Sequence, residues 1–286
     1  MRKVGIYYAF WSTEWDVDFI PYIKKVSKLG FDQLEINGGT IVDMTPVDRQ
    51  MIVNEAKKNG ITLSYGIGLT ADKDVSSLDE KIRLNGIKFM TKMIEAVGEM
   101  GGGTICGTVY STWPKQLPKG ANRLDYYNQS IKSMKVLSKV AEEHNVILLC
   151  EVINRFEQFL LNTCEQAVDY CKKINSPSCK ILLDTFHMNI EEDSIPDAIR
   201  LAGDFLGGIH LGENNRRPVG MGKMPWKEIK AALDDINYQG ALIEEPFIKA
   251  GGQVGQDIAV WRDIINNPDL DKLASYSATY IRENLV

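Results

Sequence analysis

The chain has 286 residues, 44% of them hydrophobic, enough to bury a large core, and no Pro, Gly or Ser-rich linker divides it. A formal net charge of −5 and the lack of any Lys/Arg-rich block exclude the concentrated positive footprint that nucleic acid or an acidic membrane surface requires. An apolar run begins at Val4 and no run reaches membrane-spanning length, so the expectation is a cytoplasmic protein without a leader, acting on a small neutral molecule.

In chain order, short apolar runs alternate with longer amphipathic stretches. The pattern predicts a strand at Val4–Tyr8 and a helix at Val17–Leu29, a strand at Gln33–Ile36 and a helix at Pro46–Asn59. Next come a strand at Thr62–Gly66 and a helix at Leu78–Met100, then a strand at Thr104–Val109 and a helix at Tyr126–Glu143. The second half predicts strands at Val146–Glu151, Lys180–Asp184, Leu206–Leu211 and Ala241–Pro246. Its helices are predicted at Cys164–Lys173, Ser194–Ala202, Pro225–Ile236, Asp257–Ile265 and Leu270–Glu283. The punctuation agrees: Pro46 follows Thr45 at a first helical position, and Gly30 and Gly60 lie just past helix ends.

Eight strands, each followed by a helix, in a chain near the usual length of about 250 residues, predict one closed (β/α)8 TIM barrel over residues 1–286. An open doubly wound sheet is the alternative. It would carry a Gly-x-Gly-x-x-Gly turn after the first strand, where this chain has Tyr7-Tyr-Ala-Phe-Trp11, and Gly101-Gly-Gly103 precedes a strand. No nucleotide cofactor is expected.

The strand ends carry the chemistry. Val146-Ile-Leu-Leu-Cys-Glu151, Ile181-Leu-Leu-Asp184, Leu206-Gly-Gly-Ile-His210 and Ala241-Leu-Ile-Glu-Glu245 each bring a carboxylate or imidazole to the end of strands five to eight, where barrels keep their catalytic groups. Three carboxylates and one imidazole suit a divalent ion of the Mn, Co, Mg or Zn kind, because hard oxygens neutralise its charge and imidazole adds borderline affinity. Any one of these carboxylates could equally cap a helix or pair with an arginine; four in succession on one sector argue for a site. His187 falls at the same strand exit as Asp184, whereas His144 follows Glu142-Glu143 near a helix end and reads as solvated or favouring the helix dipole. The five cysteines, Cys106, Cys150, Cys164, Cys171 and Cys179, lack CxxC spacing and read as reduced, with Cys106 and Cys150 as packing residues. Trp11, Trp15 and Trp113, in the loops after strands one and four, are either core filler or a platform for a sugar ring.

Long ordered segments then carry a family resemblance: Gly5-Ile-Tyr-Tyr-Ala-Phe-Trp11, Tyr110-Ser-Thr-Trp113-Pro, Glu151-Val-Ile-Asn-Arg-Phe-Glu157, Leu183-Asp-Thr-Phe-His-Met-Asn-Ile-Glu-Glu192, His210-Leu-Gly-Glu-Asn-Asn-Arg216, Glu245-Pro-Phe and Gly251-Gly-Gln-Val-Gly255. Over essentially its whole length the chain resembles the ketose 3-epimerases, the D-tagatose and D-psicose (D-allulose) 3-epimerase group. The resemblance implies metal-dependent C3 epimerisation of free ketoses through a cis-enediolate. It implies that Glu151, Asp184, His210 and Glu245 bind the metal, Mn2+ first, with Co2+ or Mg2+ as alternatives, and that Glu151 and Glu245 double as the proton-transfer pair. It further implies that Glu157, His187 and Arg216 hold the O1 to O3 end of the substrate and that Tyr7 and Trp113 line the pocket. A homodimer or homotetramer, packed through the loops around Trp113 to Pro118 and the C-terminal helices, belongs to the same expectation.

Some positions depart from that family's pattern. Cys106 and Thr108 stand in a stretch that usually reads Gly-Gly-Ala, Leu211 follows His210 where Thr is common, and Ile67 and Leu69 replace the His and Pro of a Gly-His-Gly-Pro run. The metal set is untouched, and the departures fall on the pocket for C4 to C6, which leaves the preferred ketose open. The alternative activity is a metal-dependent aldose-ketose isomerase on the same barrel. Arg216, Arg217 and Lys223 crowd the loop after strand seven, near where barrels often bind phosphate; a solvated basic loop apart from Arg216 is the plainer reading. A retaining glycosidase would need no metal, and a sugar sensor would lose the glutamate pair.

Overall fold

In the computed structural model, which describes all 286 residues, eight parallel strands pair in sequence order and the last pairs with the first, closing a barrel. The strands are β1 (Val4–Tyr7), β2 (Gln33–Asn37), β3 (Thr62–Leu69), β4 (Gly103–Thr112), β5 (Val146–Val152), β6 (Cys179–Asp184), β7 (Leu206–Leu211) and β8 (Leu242–Glu244). Around them lie α1 (Ile20–Lys28), α2 (Gly38–Asp43), α3 (Pro46–Lys58), α4 (Glu80–Glu99), α5 (Arg123–Glu143) and α6 (Cys164–Ile174). The ring is completed by α7 (Thr185–Glu191), α8 (Ile195–Ala202), α9 (Trp226–Asp235), α10 (Gly252–Asp257) and α11 (Leu270–Asn284). No helix is long and apolar enough to cross a membrane.

The strands are buried on both faces, as parallel strands under helices must be, and their period of two decides what enters the barrel. On β5, Leu148, Cys150 and Val152 join the large core between sheet and helices, whereas Leu149 packs with Cys106 and Leu182 in a separate small cluster inside the barrel. Alternation from that inner layer carries Glu151 inward one step above Leu149, and Asp184 one step above Leu182. Gly208 fits the same layer: a Cβ there would lie 2.7 Å from Leu149 Cδ1 and 2.9 Å from Leu182 Cδ1, and two residues on comes His210. The register Asp184↔His210 on β6 and β7 sets these two side by side. Gly107 is held to glycine by φ +111°, and a Cβ would lie 2.1 Å from the Ile67 carbonyl oxygen.

The structure departs from the predicted elements at several places, each with a local cause. Strand eight is shorter than Ala241–Pro246; Glu245 lies one residue past it, although its N–H still donates to Leu211 O at 2.9 Å. The first and third long helices start later than the pattern suggests, the first with Pro21 in its opening turn and the third at Glu80, after the Asp79 carboxylate caps it. His187 is not at a strand exit: the Asp184 side chain accepts from Phe186 N at 2.7 Å and starts α7 at once, so His187 sits in that helix's first turn. The helix predicted at Asp257–Ile265 does not form. The chain there ends α10 at Asp257, passes through Ala259 at φ 57°, and is tied back by Ile264 N donating to Ile248 O at 2.9 Å.

Candidate metal centre and active site

Glu151, Asp184, His210 and Glu245 converge at the mouth of the barrel, one potential ligand atom from each lying within 4.8 Å of all the others. His210 Nδ1 is 3.7 Å from Glu151 Oε1 and 3.7 Å from Glu245 Oε2, too far for a hydrogen bond. Both His210 ring nitrogens are buried without a hydrogen-bond partner. An ion with bonds of about 2.0–2.2 Å holds opposed ligands about 4 Å apart, so this spacing and the orphaned imidazole nitrogen fit a divalent cation.

The electrostatics point the same way. Burial pushes the Glu245 carboxyl up to about 8, against the opposing pull of His210 and Arg216. Burial would also raise Asp184, but Arg216 first, then His187 and His210, hold it below the usual carboxylate range. Burial would lower the His210 imidazole; the carboxylates of Glu35 and Glu245 outweigh it and raise it well above its ordinary value. Three carboxylates thus crowd one another where burial penalises their charge, a strain that a bound cation would relieve.

Arg216 supplies part of that relief from the β7–α9 loop. Its Nη1 donates to Asp184 Oδ2 at 2.9 Å and to Glu245 Oε2 at 3.0 Å, and its guanidinium lies 4.0 Å from the Phe186 ring centroid. His187 is held at Nδ1, where Asn154 Nδ2 donates at 2.8 Å, and its Nε2 is the ring nitrogen that faces Asp184 and Arg216. That Nε2 lies 3.8 Å from Asp184 Oδ2 and 3.2 Å from Arg216 Nη2, aimed into the cleft. Glu157 is held by both oxygens, accepting from Trp113 Nε1 at 2.8 Å and from Asn154 Nδ2 at 2.8 Å.

The cleft above these groups has a volume of about 870 Å³, large for a monosaccharide alone. Tyr7, Trp15 and Trp113 line it, with Phe247 packed edge-on to Tyr7 at 6.1 Å between ring centroids. Trp11 does not. Its indole donates to Asp271 Oδ1 at 2.7 Å on α11, so of the three tryptophans only Trp15 and Trp113 are available as a platform. Arg217 and Lys223 are also outside the cleft, where the lining cations are Lys73 and Arg216; the phosphate reading loses two of its three residues. Ile67, Leu69, Cys106 and Thr108 all line the cleft, whereas Leu211 is fully buried behind it.

Sequence reasoning passed over Glu35 and Asn154. Glu35 follows Gln33 on the inward phase of β2, a signal that strict alternation offers; Asn154 lay unremarked inside the Glu151 to Glu157 segment.

Comparison with known proteins supplies the context for this geometry. The family of xylose isomerase-like TIM barrels matches residues 23–264. A D-psicose 3-epimerase of Ruminiclostridium cellulolyticum is 44% identical over 287 residues, spanning 98% of this chain and 97% of the relative. That of Agrobacterium fabrum is 43% identical, spanning 95% and 94%. A crystal structure of the D-psicose 3-epimerase of Clostridium cellulolyticum H10 with D-tagatose superposes with a TM-score of 0.97 at 43% identity, covering 99% of both chains. The chain belongs to the ketose 3-epimerase family. This epimerase is therefore an isomerase, and its barrel mouth is where the family's reaction is to be sought. A more distant relative is an L-ribulose 3-epimerase of a Methylomonas species, at 29% identity over 98% of this chain.

Proposed function

We propose that this epimerase inverts C3 of free ketoses of the D-psicose/D-fructose or D-tagatose type, using a divalent ion held by Glu151, Asp184, His210 and Glu245. The observation that carries this reading is the convergence of those four side chains within 4.8 Å, in a chain 44% identical to a D-psicose 3-epimerase. Three carboxylates with a single imidazole and no thiolate favour Mn2+, with Co2+ and Mg2+ as alternatives. When bound, such an ion polarises the C2 carbonyl and offsets the negative charge that develops as the C3 proton leaves.

The residues of the chain do the rest. Inversion requires that the proton leave from one face of C3 and return to the other, so two different groups must act. Glu151 on β5 and Glu245 after β8 come from separate strands and flank the cleft, one as base and the other as acid, exchanging roles in the reverse reaction through a cis-enediolate. Without the ion, burial raises the Glu245 carboxyl to about 8; a bound ion would favour its carboxylate form, the form a base needs. The Arg216 guanidinium is a donor for the oxygens of the O1 to O3 end, His187 faces the same end through Nε2, and Glu157 is an acceptor for a sugar hydroxyl. Tyr7 and Trp113 wall the ring or chain of the sugar, with Ile67, Leu69 and Thr108 facing C4 to C6.

The test is a panel of free ketohexoses and ketopentoses incubated with and without Mn2+ or Co2+ and analysed for product. The expected result is the C3 epimer, formed only with the ion; an aldose product would establish the isomerase reading instead. The same reading includes a homodimer or homotetramer in the cytoplasm, and a monomer mass in solution at micromolar concentration would refute the oligomer.

A further inference from the structure

Behind His210, on the side away from Glu151 and Glu245, stands Glu35, which is 2% exposed. Its Oε1 is 3.0 Å from His210 Nε2, and both atoms are buried without a hydrogen-bond partner. Its second oxygen is fixed: Ser64 Oγ donates to Glu35 Oε2 at 2.9 Å, and Gln33 Nε2 donates to Ser64 Oγ at 2.9 Å. A chain of buried polar groups therefore runs from Gln33 on β2 through Ser64 on β3 and back to Glu35. The Cys106 thiol on β4 lies with Glu35 and His210 in one cluster, and donates to Tyr65 O at 3.5 Å.

A buried carboxylate held by one hydroxyl sets its free oxygen at contact distance from one imidazole nitrogen. With an ion on Nδ1 the imidazole would carry its one proton on Nε2, toward Glu35, and turn the Nδ1 lone pair to Glu151, Asp184 and Glu245. The alternative tautomer would set an Nε2 lone pair against a carboxylate and place a proton where a metal ligand must be bare. We infer that Glu35 is a positioning residue, which fixes the tautomer and ring orientation of His210 so that Nδ1 can bind the divalent ion. This rests on the metal role proposed for His210, and extends the functional site to β2 and β3, strands that contribute no ligand.

The test measures ion affinity rather than turnover. Wild type, Glu35→Gln, Glu35→Asp and Ser64→Ala are stripped of metal, and Mn2+ binding is titrated calorimetrically beside thermal melting of the metal-free chains. Glu35→Gln is expected to weaken Mn2+ binding about 10 to 100-fold, the usual consequence of losing such a partner. Glu35→Asp keeps the charge but withdraws the oxygen, and should lose affinity nearly as much; full affinity in Glu35→Asp would mean that long-range charge, not orientation, was at work, and would overturn the inference. Ser64→Ala, which leaves every charge in place, should weaken binding in the same direction by a smaller factor, and serves if the Glu35 variants fail to fold. Unchanged affinity in Glu35→Gln or in a folded Ser64→Ala defeats the inference while leaving the four-ligand centre intact. Two ions per wild-type chain, the second lost in Cys106→Ala, would make Glu35 a ligand instead. A wild type that binds no Mn2+ sinks the metal centre itself.

Discussion

Around the barrel mouth, the ends of β5 to β8 present Glu151, Asp184, His210 and Glu245, whereas the ends of β1 to β4 present Tyr7, Gly66, Ile67, Leu69 and Thr108 to the cleft. The first half is a set of charged groups spaced for a cation. The second is a wall of ring, methyl and backbone surface, with Glu35 buried behind it. All the positions that depart from the resembling family's pattern, Leu211 apart, lie on the second half. On the proposed reading, chemistry and selection occupy different sectors of one rim. A barrel permits this because each strand contributes its terminal side chain independently of the others.

Chelation should give the largest effect: stripping the ion is expected to abolish turnover, and Mn2+ or Co2+ to restore it. Full activity in metal-free enzyme would end the distinction between the halves, since the charged sector would then have no special task. Next comes replacement of Glu151 or Glu245 by Gln, which keeps an oxygen but removes the base. Turnover should fall about 10²–10⁴-fold. In heavy water, wild-type product should carry deuterium at C3, because one carboxylate takes the proton and another returns one. Product without deuterium at C3 would favour a hydride shift.

How much of this was legible from sequence follows the same division. Glu151, Asp184 and His210 end apolar runs on the inward phase, so their convergence could be anticipated; Glu245 could too, although β8 stops one residue short of it. The barrel followed from the alternation of runs. The rest depended on contacts that local pattern does not encode. His187 was placed at a strand end because nothing in Leu-Leu-Asp-Thr-Phe-His says that Asp184 folds back to accept from Phe186 N. Trp11 was a candidate platform because the sequence cannot show that its indole reaches Asp271, 260 residues away. The missing helix at Asp257–Ile265 has helical spacing, and Asp257 is held instead by the Trp15 indole at 2.7 Å. Glu35 belongs to no quoted motif, and only barrel closure puts it against His210.

A sharper test of the two sectors exchanges the unusual residues of the second. The combined variant Ile67→His, Leu69→Pro and Thr108→Ala restores the family's common pattern at three lining positions. It should shift the ratio of kcat/KM between C4-epimeric ketoses by about 10–200-fold, the range that small changes in pocket shape command. Mn2+ affinity should hardly move. A comparable loss of metal binding would show that the wall and the charged centre are one cooperative unit.

The mildest effect concerns stability, and it sets neighbours in sequence against each other. Glu244 ends β8 and Glu245 follows it, the two side chains point opposite ways, and burial pushes both carboxyls up to about 8. Glu244 faces the helices, accepting from Ser277 Oγ at 2.5 Å and Val219 N at 2.9 Å. Because its folded value lies above the unfolded one, it binds its proton more tightly when folded. Its contribution is therefore fully present below the unfolded value and is lost as pH rises from about 4.5 to about 8, with a slope of up to about 1.4 kcal/mol per pH unit. Glu244→Gln should flatten that part of the stability curve, measured by denaturant unfolding across the range, without altering the reaction. Saturating Mn2+ should remove the corresponding dependence of Glu245, whose charge the ion would balance, and leave that of Glu244 in place. If the ion flattened both equally, or Glu244→Gln changed nothing between pH 4.5 and 8, the barrel interior and the layer under the helices would not be electrostatically separate as the opposite orientation of the two side chains requires.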